Sequence, residues 1–381
     1  MTDSPSRGRH AADPAPQRPS VVVVGGGYAG VTVARGLDAI ADVTLVEPKD
    51  HFVHAAGALR TAVDDAWDDK VFHSYDRVLT HGRLVRDTAR LVTPTQVRLS
   101  PTEVIDADYL VLATGTSYPF PAKFLESHAW VARSRLARLR ESLAVARGVM
   151  IVGAGPVGLE LAGEIVHAFP HAKVTVVEKE STILPSAEYL PELRAELRAQ
   201  LEADGVRFVL GAPLGYWPPE DVGVLHDFTV ATTAGEQIDA QIWFRCFGNA
   251  QESDYLDAAL SAARRGTDEI AVEPTMQVRG FDTVFAVGDV TDVPESKRAQ
   301  RAIAHAQVAV ANITAMIEGR EPTATYAPAR EQIVLPLGPT GGASQIEQED
   351  GTRVVLGAAE TSRIKGADLL TGPVRAMLGL D

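Results

Sequence analysis

Two sets of spaced glycines, Gly25, Gly27 and Gly30, then Gly153, Gly155 and Gly158, repeat one Gly-x-Gly-x-x-Gly pattern, each entered from a β-branched run. Such spacing lets the backbone turn tightly, approach a pyrophosphate and pack the next helix on the strand. The helix then points free amides and a partial positive charge at the phosphates. A third segment, Val284-Phe285-Ala286-Val287-Gly288-Asp289, ends a buried-strand pattern on a carboxylate. Together these imply two dinucleotides bound side by side, and the chemistry that fits is hydride transfer from a nicotinamide to a flavin.

The elements that must position these turns are legible around them. Strand Val21 to Val24 feeds the first turn, and strand Val43 to Val46 ends in Glu47, roughly 20 residues past the first glycine, where a carboxylate can accept hydrogen bonds from a ribose diol. The second copy repeats each part: strand Val149 to Val152, a helix from about Val157 to Ala168, strand Val174 to Val177 and then Glu178. His51 and His54 invite a metal reading, but no third or fourth ligand of matching spacing accompanies them, so no metal is expected.

A chain of 381 residues has room for two or three domains, and 45% hydrophobic with 23% charged residues is ordinary globular composition. The net charge of -14 repels nucleic-acid phosphates and anionic lipid, so no nucleic-acid partner is expected. The one cysteine, Cys246, excludes a disulfide framework and the paired thiols that disulfide reductases place near their flavin. It sits at a strand end and reads as a buried, inert thiol. Met1 to Pro19, with four prolines and scattered charge, reads as a loose tail. It lacks a signal-peptide pattern, and Thr2 excludes N-myristoylation. The most apolar long segment, Ala302 to Ile317, is too short to span a bilayer and is interrupted by His305, Gln307 and Asn312. A cytoplasmic location follows as the expectation, with peripheral membrane contact and oligomeric state left open.

Along the chain, Arg83 to Leu112 alternates as a β-meander that ends at Ala113-Thr114-Gly115, where the chain leaves a first domain. A helix is expected over about Ser134 to Arg147, and another over Leu190 to Asp204 with Leu193, Leu197 and Leu201 on its inner face. Phe228 to Ile242 reads as strands, and near Phe247-Gly248 the chain crosses back. A helix from about Lys297 to Glu318 follows Asp289. Its N-terminus would favour negative charge on a reduced flavin. Two strand-like runs, Gln332 to Leu337 and Arg353 to Leu356, and a Leu369 to Leu380 tail make a small last domain. The expected division is a tail over 1–19, an FAD-binding domain from 20–118 and 248–321, a nicotinamide-nucleotide domain over 119–247, and a C-terminal domain over 322–381.

The order of the two glycine turns, Ala113-Thr114-Gly115 and Val287-Gly288-Asp289 resembles the two-dinucleotide-domain flavoproteins. Within them, His51 to Asp64, Tyr118-Pro119-Phe120-Pro121-Ala122-Lys123-Phe124 and Lys297 to Ile313 are similar to the ferroptosis suppressor protein branch, related to apoptosis-inducing-factor-like proteins and type II NADH dehydrogenases. That resemblance implies an α/β fold of two Rossmann-like domains, as in glutathione-reductase-like flavoproteins, plus a small C-terminal α+β domain. It implies an FAD enzyme that oxidises NADH or NADPH and reduces a small quinone-type acceptor. Carried over, Gly25, Gly27, Gly30 and Glu47 would hold FAD, together with Gly115, and Asp289 would take its ribityl hydroxyls. Gly153, Gly155, Gly158 and Glu178 would hold the nicotinamide nucleotide. Glu160 matches a glutamate near the nicotinamide and flavin, and Lys297 and His305 match a Lys and a His near the flavin ring. A carboxylate at Glu178 repels a 2′-phosphate and favours NADH, while Lys179 beside it pulls the other way.

Departures from the pattern set the alternatives. Ala299-Gln300-Arg301-Ala302-Ile303-Ala304 lacks the last glutamine of the type II dehydrogenase quinone signature, and Gly372-Pro373 would break an anchoring helix in the tail. Two rival readings therefore stand beside a quinone reductase. One is a reductase of a ferredoxin- or rubredoxin-type carrier docking on a basic patch around Lys297 to Arg301. The other is an NADH-sensing flavoprotein with little turnover.

Overall fold

The computed structural model describes residues 18–380. The expected loose tail lies outside the described residues except for Arg18 and Pro19. Ser20–Val24 is apolar without alternation because it is buried on both faces, as strands inside a parallel sheet are. It stands at the centre of a five-stranded parallel sheet in the order Val284–Ala286, Tyr109–Leu112, Ser20–Val24, Asp42–Val46, Arg83–Val85. The meander reading holds for Leu91–Thr93, Gln96–Arg98 and Val104–Asp106, which pair antiparallel before Tyr109–Leu112 enters the sheet.

A second parallel sheet runs Arg207–Leu210, Lys173–Glu178, Gly148–Val152, Ile242–Arg245. The chain travels between the sheets on a two-stranded ribbon, with Thr116–Ser117 outbound pairing antiparallel with Ala250–Gln251 on the return. In both sheets the central strand runs straight into its glycine turn, so the two turns lie at the carboxyl ends of strands, where open α/β sheets take ligands.

Helix Ala129–Val145 starts earlier than its sequence pattern suggests, because Asp50 caps it from outside, accepting the Ala129 N–H at 2.9 Å. Ile333–Leu337, Gly341–Glu347 and Arg353–Leu356 form a third, antiparallel sheet, of which the middle strand was not expected. This sheet lies directly on helix Pro156–Ala168: a Cβ on Gly163 would stand 2.6 Å from Leu337 Cα, so only glycine permits the approach. The tail also departs from expectation. Thr371–Leu378 is a helix despite Gly372-Pro373, because that pair falls in the first turn, where proline is tolerated. Val374 and Leu378 bury its apolar face in the core around the first sheet. Among the described residues no helix is long and apolar enough to cross a membrane.

Candidate active site

The two glycine turns are near copies. Gly25 and Gly153 have φ of +103° and +109°, a left-handed conformation that favours glycine. A Cβ on Gly30 would lie 1.8 Å from the Gly25 carbonyl oxygen, and one on Gly158 would lie 1.9 Å from that of Gly153, so helix and strand meet too closely for any side chain. The middle glycines differ from both: Gly27 and Gly155 face nothing within 4 Å. Each turn thus has a tight first glycine, a packed third one and an open second one beneath a helix N-terminus, which fits a pyrophosphate in both places.

The acids repeat as well. Glu47 accepts the Gly26 N–H at 2.7 Å and the Lys49 N–H at 3.0 Å. Glu178 accepts those of Ala154 at 2.8 Å and Glu180 at 3.1 Å. Both carboxylates are nearly buried and held by one amide per oxygen, which fixes their direction and leaves lone pairs for ribose hydroxyls. Tyr75 closes the first turn by donating to the Gly26 carbonyl at 2.9 Å.

Asp289 sits in the 3-10 turn Gly288–Val290, directly after the edge strand of the first sheet. Its carboxylate lies 3.6 Å from Lys123 Nζ, which also donates to the carbonyl and the hydroxyl of Thr116 at 2.6 Å each. Burial pulls the Lys123 pKa down, and Asp289 partly offsets it. Gly115, at φ +67°, lies just before this Thr116 and faces open space.

His305 is buried behind the Asp289 turn. Its Nδ1 accepts the Gly288 N–H at 3.2 Å, so the neutral ring carries its proton on Nε2. That nitrogen lies 2.9 Å from Glu295 Oε1 but off the hydrogen-bond axis, leaving both atoms unsatisfied. Burial lowers the His305 pKa, with Glu295 opposing. Lys297 directs its ammonium elsewhere, to Glu269 at 3.0 Å and the Thr291 carbonyl at 2.6 Å. It therefore steadies the segment leading to helix Ala299–Ile317. Of the two histidines weighed for metal, His54 bridges the Tyr28 hydroxyl at 2.8 Å and the Leu369 carbonyl at 2.7 Å, and His51 binds Asp50 at 2.6 Å.

Glu160, one turn into helix Pro156–Ala168, accepts a 2.7 Å bond from Lys365 of the C-terminal segment. One helical turn further, Glu164 is buried against Arg60. Lys365, Lys123, Arg60 and Glu164 carry no motif that marks them as site residues. Arg60 and Lys123 lie inside stretches similar to the family, His51 to Asp64 and Tyr118 to Phe124, but neither side chain is marked there by type or spacing. Cys246 is buried, and burial pushes its thiol up to about 12, so it is no thiolate at neutral pH. Beside it Phe247 reaches 3.4 Å from the position of a Cβ on Gly153, and Trp217 lies over both Phe247 and Trp243, at centroid distances of 5.9 and 5.6 Å. A shallow cleft of about 780 Å³ lined by Arg18, Asp42, His81 and Asp108 is at the opposite, amino end of the first sheet, away from both turns.

Residues 19–312 match the sequence profile of the pyridine nucleotide-disulphide oxidoreductases. The chain is 30% identical to ferroptosis suppressor protein 1 of Homo sapiens over 330 residues, covering 86% of this chain and 88% of that one. It is 28% identical to apoptosis-inducing factor homolog B of Dictyostelium discoideum over 372 residues, covering 93% and 95%. The fold is similar to that of the sulfide:quinone oxidoreductase of Aquifex aeolicus, with a TM-score of 0.73 at 16% identity over 95% of this chain and 92% of that one. The chain therefore belongs to the pyridine nucleotide-disulphide oxidoreductase family, among the ferroptosis suppressor proteins and apoptosis-inducing factor homologues, and is an FAD-dependent oxidoreductase of nicotinamide nucleotides.

Proposed function

We propose that this oxidoreductase takes hydride from NADH and passes two electrons to a small quinone-type acceptor. The observation that carries the reading is the duplicated cradle: two open-centred glycine turns, each with an amide-held glutamate. Bound FAD supplies the two-electron relay between nicotinamide and acceptor. Gly25, Gly27, Gly30 and Glu47 hold its adenosine end, while Gly115 and Asp289 hold the ribityl side. Gly153, Gly155, Gly158 and Glu178 hold the nicotinamide nucleotide. The carboxylate of Glu178, already fixed by two amides, accepts a ribose diol and disfavours a 2′-phosphate, which supports NADH. In this reading 20–118 with 248–321 serve FAD, 119–247 serve the nucleotide, and 322–381 supply Lys365.

Glu160 and Lys365 form the charged pair at the reacting face. Their 2.7 Å bond directs the Lys365 ammonium toward the Glu160 carboxylate on the helix that opens at the nucleotide turn. His305 and Lys297 act on the backbone that bears Asp289, one through Gly288 and the other through Thr291.

Two observations favour a small external acceptor. The lone thiol is buried and neutral, so electrons have no thiol relay. The arginines that would dock an acidic carrier are engaged: Arg298 with Glu331, and Arg301 with the Ala329 and Arg330 carbonyls near Glu295. The similarity to a sulfide:quinone oxidoreductase fold points the same way.

The test is anaerobic. NADH should bleach the flavin absorbance of the holoprotein, and a water-soluble benzoquinone should restore it. No bleaching by NADH or NADPH would sink the reading. Bleaching that a quinone cannot reverse would leave the hydride step and remove the acceptor.

A further inference from the structure

Three segments distant in sequence meet at one buried guanidinium. Arg60 lies on the short helix Ala58–Thr61 and is 5% exposed, with the Trp67 ring 5.1 Å below it. Its Nε donates to Glu164 Oε2 at 2.5 Å, and its Nη2 donates to the Gly366 carbonyl at 3.0 Å. Glu164 stands one helical turn beyond Glu160, and Gly366 is the immediate neighbour of Lys365. One rigid fork therefore grips the neighbour of each member of the Glu160–Lys365 pair.

We propose that Arg60 is a positioning residue that sets Lys365 against Glu160 by clamping the Lys365–Gly366 turn to helix Pro156–Ala168. The proposal rests on the reading of that pair as the charged pair at the reacting face. Ser362–Gly366 is a π-helical turn, a wide geometry that re-aims side chains and survives where its surroundings hold it. The Ser362 hydroxyl holds the start of this turn by donating to the Pro339 carbonyl at 2.7 Å, and Arg60 holds its far end, next to Lys365. Lys365 Nζ has only the Val334 carbonyl, at 3.3 Å, besides Glu160. A planar guanidinium can hold a carboxylate and a carbonyl at fixed angles together, whereas a single ammonium cannot reproduce that fork. The hydrogen bond from His54 to the Leu369 carbonyl anchors the segment further on but does not reach the turn itself.

Removing Arg60 alone strands the Glu164 carboxylate, so the informative variant is Arg60→Met with Glu164→Leu, which replaces the buried pair by apolar side chains and keeps the fold. Two readouts are made on holoprotein. The first is acetylation of Lys365 by acetic anhydride, followed by mass spectrometry with the exposed Lys179 as internal reference. The second is the anaerobic rate of flavin bleaching by NADH. The double variant is expected to retain flavin and to acetylate at Lys365 faster. It should also bleach between about tenfold and a hundredfold more slowly, as misplacement of a reacting group by a fraction of an ångström does. Adding Lys365→Met to it should slow bleaching no further. Unchanged acetylation, an unchanged bleaching rate, or a full further loss on adding Lys365→Met overturns the proposal. Arg60→Lys, which keeps the charge without the fork, should resemble the double variant; if both lose flavin and cooperative unfolding, Arg60 is a folding residue and the proposal also falls. Should the unaltered protein not react with NADH, the acetylation arm still decides whether Arg60 holds the turn.

Discussion

The Lys123 ammonium lies 3.6 Å from the Asp289 carboxylate while both of its short hydrogen bonds go to Thr116. It thereby ties the start of the inter-sheet ribbon to the turn that ends the first sheet. The carboxylate that would receive ribityl hydroxyls is thus aimed by a lysine from the opposite side of the crossing. Asp289→Ala should yield protein that purifies with little flavin. Lys123→Met should fold and keep flavin more weakly, by about tenfold, because Asp289 loses the ammonium 3.6 Å away that orients its carboxylate. Flavin absorbance after dialysis, and FAD titration of apoprotein, measure both.

The three glycines of each turn should fail differently. Gly158→Ala places a Cβ 1.9 Å from the Gly153 carbonyl oxygen and should lower the unfolding temperature markedly. Gly155→Ala meets no protein atom within 4 Å, so the apoprotein should melt normally while NADH affinity drops. Equal destabilisation by both substitutions would contradict the open cradle. Thermal melts and NADH titrations separate the two effects.

Nucleotide choice should turn on Glu178. Glu178→Ala removes the carboxylate that accepts the Ala154 and Glu180 amides, so the KM for NADH should rise while that for NADPH falls relative to it. The ratio of kcat/KM for the two nucleotides is the measurement, and an unchanged ratio would place the discrimination elsewhere.

Stability should depend on pH through His54. Burial pushes its pKa down from 6.5 to about 4, against the hydrogen bond to Leu369. The unfolded chain then binds more protons than the folded one between those values, so stability is full above about pH 6.5 and is lost as the pH falls toward 4. The loss is on the order of 3 kcal/mol for this group. Protonating Nδ1 also ends its role as acceptor of the Tyr28 hydroxyl. Chemical denaturation across this range should show the slope, and His54→Gln should flatten it.

Legibility in the sequence followed how local the chemistry is. Each glycine turn, its strand and its acid fall within one short stretch, so spacing alone announced them. Lys365 reaches Glu160 across 205 residues, and nothing in either neighbourhood refers to the other. Arg60 and Glu164 are equally silent until the C-terminal segment is in place. Strand Gly341–Glu347 escaped because its four buried positions are small or polar, Gly342, Ala343, Ser344 and Gln345: Ser344 bonds Thr361 at 2.7 Å, and the Gln345 amide bonds the carbonyls of Glu188 and Glu331. Hydrophobic alternation cannot reveal such a strand. The early start of helix Ala129–Val145 was hidden for the same reason, since its cap, Asp50, is 79 residues away.

The aromatic stack beside the second glycine turn gives the protein its own optical probe. Trp217 is half exposed and rests on Phe247, which in turn abuts Gly153. Indole emission is sensitive to what lies against the ring, so ligand arriving at that turn should alter fluorescence at Trp217 in apoprotein free of flavin colour. Occupancy of the nucleotide half can then be followed with no label and no turnover.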